Sequence, residues 1–291
     1  MHIASPSVRR LALLVLPPVV VEAIRFLLRV GLHSSFAPEW EMVTNTNEIW
    51  STQAGWSHDS IVQMQLGKWQ GFLRSVDGPQ PLGQAHEADS DAPADFATHN
   101  TIMTFGYALG RVAVGRKHMS VLDWGGGLGH YYVYARKLFP ELSFDFTVKD
   151  VPGLCAAVAP LLPEVTFVHD ERDALSRHYD FVFASSSLHY SRDPYGLLSR
   201  LCDSTNEWLM ITRTPIVEHS DDFLVVQRPH QYGYMTEYPG WFMNRTRVVD
   251  FMSKGGFSLD RQFLVAEQPN VANAPEQAHY NGFLFRRAAG K

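Results

Sequence analysis

A chain of 291 residues with 45% hydrophobic side chains has ample material for a core, at a length that fits one large α/β domain with appendages. Its formal net charge of −5, with no stripe of clustered Lys and Arg, excludes an electrostatic case for a nucleic-acid partner. Cys155 and Cys202 are its only cysteines and form no C-x-x-C or ligand-spaced group, so they read as small core residues in a reducing compartment, with no structural zinc.

In chain order, Arg9 and Arg10 precede "LALLVLPPVVV" (11–21), the basic and apolar parts of a secretory signal. No small-x-small cleavage site follows. Instead comes "EAIRFLLRVGL", in which Glu22, Arg25 and Arg29 recur at helical spacing. The eleven uncharged residues fall short of the about 20 that span a bilayer, and Pro17-Pro18 breaks a helix within them. Residues 1–35 are therefore read as a helical pair that either docks on the domain or lies in a membrane interface. The expected setting is the cytoplasm, with peripheral contact at the inner membrane face as the second placement.

Residues 36–95 read as a helical cap and linker. The periodicity of Ile61, Met64, Leu66 and Trp69 predicts a helix, and "SVDGPQPLGQAHEADSDAPAD" (75–95) reads as a linker or mobile loop. From 96 to 291 the pattern is that of a core domain. A helix of about 18 residues in "FATHNTIMTFGYALGRVAVG" leads into the strand "SVLDW", and "LSFDFTVKD", "VTFVHD", "DFVFASS" and "WLMITR" follow as strands. The helical stretches between the earlier strands predict a doubly wound, mostly parallel sheet. A helix near 247–254 and two successive closing strands, "SLDRQFLVAE" and "HYNGFLFRRA", predict an antiparallel edge. The insertion at about 216–245 is expected as a loop over the site.

Four glycines fall within five positions in "VLDWGGGLGHYY" (121–132). Asp123, Gly125, Gly127 and Gly129 form D-x-G-x-G-x-G at the end of the first core strand. A dinucleotide fold wants G-x-G-x-x-G, and its third glycine is here His130. The pattern fits S-adenosylmethionine better, because that ligand has no phosphate and its ammonium welcomes a carboxylate such as Asp123. Asp150, 21 positions after Gly129, ends the next strand where ribose hydroxyls need an acceptor. Asp170, ending the third, is placed to meet the adenine amine. Each of these also has a plainer reading, as a tight turn or a helix cap.

These residues bring out a resemblance. The chain resembles the class I S-adenosylmethionine-dependent methyltransferases, and within them a bacterial family associated with surface-polysaccharide gene clusters. The matching stretches are "LPP" (16–18), "GW" (55–56), "LDWGGGLGHYY", "SSSLHY" (185–190), "RTP" (213–215) and "EYPGW" (237–241). The resemblance implies a Rossmann-like methyltransferase fold of seven strands with a helical cap, and S-adenosylmethionine as cofactor without a metal. It implies cofactor roles for Asp123, Gly125, Gly127, Gly129, Asp150 and Asp170, with Val151 and Ser185 beside them. The family tends to carry Gln at the position of His189 and Asp at that of Thr212. "GGGLG" with "DVP" is also similar to phenolic O-methyltransferases, whose "HDW" pair is absent here.

Methyl transfer to a hydroxyl needs an aligned acceptor, excluded water and a destination for the acceptor proton. Loops after the fourth and fifth strands face the crevice of a doubly wound sheet, which selects "SSSLHY" and "RTP". His189 and His230 are the candidate bases, and Arg213, which keeps its proton, is the candidate for orienting an acceptor through its planar fork. Tyr232, Tyr234, Tyr238 and Trp241 in the insertion suit the apolar side of a sugar ring. The expected activity is O-methylation of a sugar or glycan intermediate. The alternatives are a small phenolic or polyketide acceptor, and a non-catalytic protein that binds the cofactor.

Overall fold

The computed structural model describes residues 37–44, 50, 55–83 and 94–288. The chain divides into two compact units, Met1–Pro38 and Glu39–Lys291. The helical pair expected in 1–35 lies outside the described residues. In the second unit, strand β1 (Trp40–Met42) precedes helices α1 (Asp59–Asp77) and α2 (Phe96–Ala113). Strand and helix then alternate through β2 (His118–Trp124), α3 (His130–Leu138), β3 (Ser143–Lys149), α4 (Pro152–Val158), β4 (Thr166–Val168), α5 (Glu171–Ala174), β5 (Tyr179–Ser185), α6 (Pro194–Asp203) and β6 (Thr205–Val217). The chain continues with β7 (Phe223–Gln227), β8 (Tyr238–Asn244), α7 (Arg245–Lys254), β9 (Phe257–Leu264), β10 (Val271–Ala272) and β11 (His279–Arg287).

The parallel core is doubly wound, as the alternation predicts. β2 lies at its centre, with β3 and then β4 on one side and β5 and then β6 on the other. The winding therefore reverses between β2 and β5, the topological switch point at which such sheets open a crevice. β11 runs antiparallel between β6 and β9, so the closing pair forms the expected antiparallel edge with β9 outermost. Among the described residues the sheet has eleven strands, more than the expected seven. β1, β7, β8 and β10 account for the excess, joined to the core where the last residues of β6 pair with β8.

Side chains on β2 alternate between two cores, as period-2 geometry requires. Val121 faces a cluster shared with α1, α2, α3 and α4, whereas Leu122 and Trp124 face one shared with α5, α6 and α7. Helix α2 starts where the Asp95 carboxylate accepts from Thr98 N at 2.8 Å, and α3 starts directly on Gly129, which is left-handed at φ 79 and offers no side-chain cap. Both cysteines are buried and free.

Two expectations are corrected. The insertion expected as a loop instead pairs β7 with β8 in antiparallel register, from Phe223↔Phe242 to Gln227↔Tyr238, with irregular segments before β7 and between the two strands. The segment expected to be helical from residue 36 begins with β1, which pairs with β7 and β10. Trp40, Phe223 and Phe242 bury a small third core that a loop could not close. No helix among the described residues is long and apolar enough to cross a membrane.

Helix α1 is part of the main core: Ile61, Trp69, Phe72 and Val76 are buried on one face. Phe72 meets His130 and Tyr134 edge-on, with ring centroids 4.5 and 5.4 Å apart. Phe72→Ala is expected to cost about 3–5 kcal/mol, the range for emptying a buried aromatic site, read as a lowered urea midpoint. A loss under about 1 kcal/mol would mean that α1 is only peripheral.

Candidate functional site

The carboxyl ends of β2, β3 and β5 meet at the switch point, and the glycine loop is folded around them. Gly125, Gly127 and Gly129 all have positive φ, at 73, 57 and 79 degrees, where a side chain is strained. Space is also short: a Cβ on Gly125 would lie 2.4 Å from the Ser187 Cβ, and one on Gly126 only 2.3 Å from the Asp123 Oδ2. Gly125 N donates to Lys149 O at 2.8 Å, and Gly127 N donates to the Asp150 carboxylate at 2.7 Å. The other Asp150 oxygen accepts from Val151 N at 2.7 Å. A carboxylate has about four lone-pair directions, so Asp150 can still accept from two hydroxyls.

Asp123 is 1% exposed, and neither carboxylate oxygen has a hydrogen-bond partner among the described residues. Burial, and then the neighbouring charge of Asp150, push its pKa well above the ordinary carboxylate range. Burial pushes Asp150 up as well, against the pull of its two N–H donors. A cation set between them would relieve both, and a pyrophosphate would be repelled. This electrostatic demand separates a sulfonium and ammonium ligand from a dinucleotide more firmly than the glycine spacing does. The buried carboxylate, its neighbour and the bare loop thus fit S-adenosylmethionine.

Ser185 ends β5, and its hydroxyl lies 2.8 Å from that of Tyr131 on α3. Asp170 has the capping role: it accepts from Arg172 N at 2.7 Å at the start of α5, and that N–H holds its carboxyl below the usual range. Of the three candidates for acceptor chemistry, His189 and Arg213 are neighbours, and His230 stands on a separate turn. His189 is 0% exposed with neither ring nitrogen partnered among the described residues. Burial, and then the charge of Arg213, depress its pKa to about 3. Arg213, at φ 47, donates to Glu267 at 3.0 Å. His230 is exposed on the short turn His230–Tyr232.

Beside His189 stands an aromatic wall. Trp56 and Tyr238 stack with centroids 4.5 Å apart, and Tyr190 meets both edge-on at 5.2 and 5.0 Å. Tyr190 donates to Gln227 Oε1 at 2.7 Å, and Gln227 Nε2 donates to Glu39 at 3.2 Å, a carboxyl that burial raises. Tyr234 and Tyr238 of the insertion thus join this wall or lie beside it. Tyr232 is exposed, and Trp241 packs on the other face with Leu197 and Met243. Gln227 and Glu39 were missed in the sequence because no motif or period marks them, whereas Trp56 and Tyr131 lie inside the matching stretches "GW" and "LDWGGGLGHYY" but were given no role there. Among the described residues, no group of three or more His, Cys, Asp or Glu is arranged to hold a metal ion.

No family model matches the chain, and no curated protein matches it. Solved structures do. It is similar to the magnesium protoporphyrin IX methyltransferase of Synechocystis PCC 6803, solved with S-adenosylmethionine bound, at 12% identity and a TM-score of 0.49, covering 84% of this chain and 99% of that one. It is also similar to the Burkholderia thailandensis 1,6-didemethyltoxoflavin N1-methyltransferase, solved with S-adenosylhomocysteine, at 16% identity and 0.44, covering 67% and 82%. A third is a S-adenosylmethionine-dependent methyltransferase of Clostridium acetobutylicum, at 11% identity and 0.44, covering 65% and 92%. Likenesses this distant carry no function across, so the reading of the crevice rests on its own strand order and charges.

Proposed function

We propose that the protein is a S-adenosylmethionine-dependent methyltransferase acting on a hydroxyl of a sugar or glycan intermediate, in the surface-polysaccharide setting that the family resemblance suggests. One observation carries the cofactor reading: the buried, unpartnered carboxylate of Asp123 beneath a loop of positive-φ glycines at the switch point. Gly125, Gly127 and Gly129 let the backbone approach the cofactor, Asp123 attracts its positive charge, and Asp150, flanked by Val151, accepts from the ribose. Ser185 stands at the neighbouring strand end, and Asp170 lies toward the adenine. Bound there, the cofactor supplies an electrophilic methyl on a sulfonium.

The chain's own part is alignment. Trp56 and Tyr190, backed by the buried Tyr238, would present aromatic surface to the apolar side of a sugar ring, and Arg213, steadied by Glu267, is the residue proposed to orient the acceptor. The same stacked rings also suit a flat phenolic or polyketide acceptor, which is the second reading. His230, in the turn between β7 and β8, is the proposed base. His189, held neutral, is proposed to hydrogen-bond the acceptor. The proposed setting is the cytoplasm, with residues 1–35 docked on the protein or lying on the inner membrane face. Full-length protein co-sedimenting with anionic liposomes no more than a chain starting at Ser35 would reject the membrane placement.

Calorimetric titration with S-adenosylmethionine, and with a nicotinamide dinucleotide as the rival, tests the cofactor. Labelled methyl transfer to sugar and phenolic acceptors tests the substrate, and binding without transfer to any acceptor would favour the non-catalytic alternative. Asp123→Asn is expected to weaken S-adenosylmethionine binding by tenfold or more. It should also raise the melting temperature at neutral pH, because a carboxyl whose folded pKa is raised destabilises the fold above its unfolded pKa of about 3.9. Unchanged affinity in that variant would overturn the role of Asp123.

His189 gives a second pH signature. Its folded pKa is depressed, so the unfolded chain takes the proton first and stability is lost as pH falls from about 6.5 toward 3. The slope reaches about 1.4 kcal/mol per pH unit. His189→Gln should flatten this limb in urea midpoints measured across pH. An identical acid limb in the variant would mean that the ring is not buried neutral.

A further inference from the structure

Helix α1 crosses the crevice mouth with a single face. A Cβ on Gly153, at the start of α4, would lie 3.4 Å from Val62, and one on Gly127 would lie 3.2 Å from Gln65 Oε1. Further along, the rings of Trp69 and Phe72 lie 5.3 and 4.5 Å from that of His130, just past the glycine loop. Positions 62, 65, 69 and 72 follow the i, i+3, i+4 rule, so they form one row over the β2–α3 and β3–α4 turns. Three of the four are apolar and pack. The fourth is Gln65, and its buried Oε1 has no hydrogen-bond partner among the described residues. A helix that spends a polar residue on its inward face, directly over a bare glycine, leaves an acceptor in need of a donor.

Resting on the reading of this crevice as a S-adenosylmethionine site, we propose that Gln65 is a cofactor-binding residue, whose side-chain carbonyl accepts a hydrogen bond from the ligand across Gly127. The donor is a hydroxyl of the ribose or the ammonium of the amino-acid part, since both can lie between the glycine loop and its two carboxylates. α1 also carries the other wall of the crevice. Ser60 Oγ accepts from Met235 N at 3.0 Å, and a Cβ on Gly233 would lie 2.9 Å from the Met64 Cε. The helix that reads the cofactor is thus the one on which the turn between β7 and β8 rests.

The test is calorimetric titration of the full-length protein with S-adenosylmethionine, S-adenosylhomocysteine and 5′-methylthioadenosine, which keeps the ribose and lacks the amino acid. Gln65→Leu should bind the first two at least tenfold more weakly, with a melting temperature equal to or above that of the parent, because the orphaned carbonyl is gone. Gln65→Glu, which keeps the acceptor, should bind within about threefold of the parent. Gln63→Leu, on the exposed face of the same helix, should change nothing. A loss repeated with 5′-methylthioadenosine identifies the ribose as donor, and a loss confined to the other two ligands identifies the ammonium. Parent-like binding by Gln65→Leu overturns the assignment while leaving the methyltransferase reading intact, and a loss in Gln65→Glu as large as in Gln65→Leu overturns the acceptor role. Failure of the parent protein to bind any of the three overturns both.

Discussion

A carboxylate held in the interior, without a hydrogen-bond partner among the described residues, is the constraint around which the crevice is arranged. Asp123 is buried, and its charge is opposed by that of Asp150. Such a group costs the fold stability, and it persists in a folded domain when a ligand repays the cost. The loop follows from it. Gly126, which the D-x-G-x-G-x-G pattern does not count, has an ordinary φ and is glycine for another reason: the Asp123 oxygen occupies the place of its Cβ. Gly125 is bare because Ser187 comes across from β5. The glycines thus serve two purposes, backbone turns at 125, 127 and 129 and clearance for side chains at 125 and 126.

The opposite wall depends on strain of another kind. Ser186 and Arg213 both have positive φ without being glycine, Ser186 just past the end of β5 and Arg213 within β6, with Ser186 N donating to Thr212 O at 2.9 Å. A left-handed residue of this sort costs about 1–3 kcal/mol and is found where the surroundings over-determine it. Here the surroundings are the continuation of β6 past Arg213. That extension pairs Ile216 and Val217 with β8, and through β8 and β7 the sheet reaches back to β1. The aromatic wall of Trp56, Tyr190 and Tyr238 hangs on this extra layer.

What could be read in the sequence was what has a local signature. The alternation from "SVLDW" to "WLMITR" marks period and length, and the glycine loop marks its own position at the end of β2. The extra layer has no such signature. β1 is three residues long and pairs with β7, about 185 positions away, so nothing near Trp40 announces a strand. The insertion reads as loop because its Pro, Gly and Tyr residues look like turn chemistry, while Phe223 to Gln227, all buried, give no alternation to set against it. For the site, the strand-end carboxylates and the capping reading of Asp170 were legible locally, but the burial of His189 and the inward turn of Gln65 are outcomes of packing between distant segments.

That packing bears on how the chemistry is shared out. A buried imidazole with a pKa near 3 is neutral at every physiological pH, and charging it would place a second cation beside Arg213. It is thus a poor place to deposit a proton and a good place to fix a hydrogen bond, because its state does not change with the medium. Arg213 is constant for a different reason, since guanidinium does not titrate and Glu267 holds one of its nitrogens. Both groups therefore hold fixed charge states, while the exposed His230 sits on the turn between β7 and β8. A displacement whose leaving group departs neutral asks mainly for alignment and the exclusion of water. Under the proposed function, alignment would fall to the buried groups of this crevice and proton exchange to its solvent-facing rim.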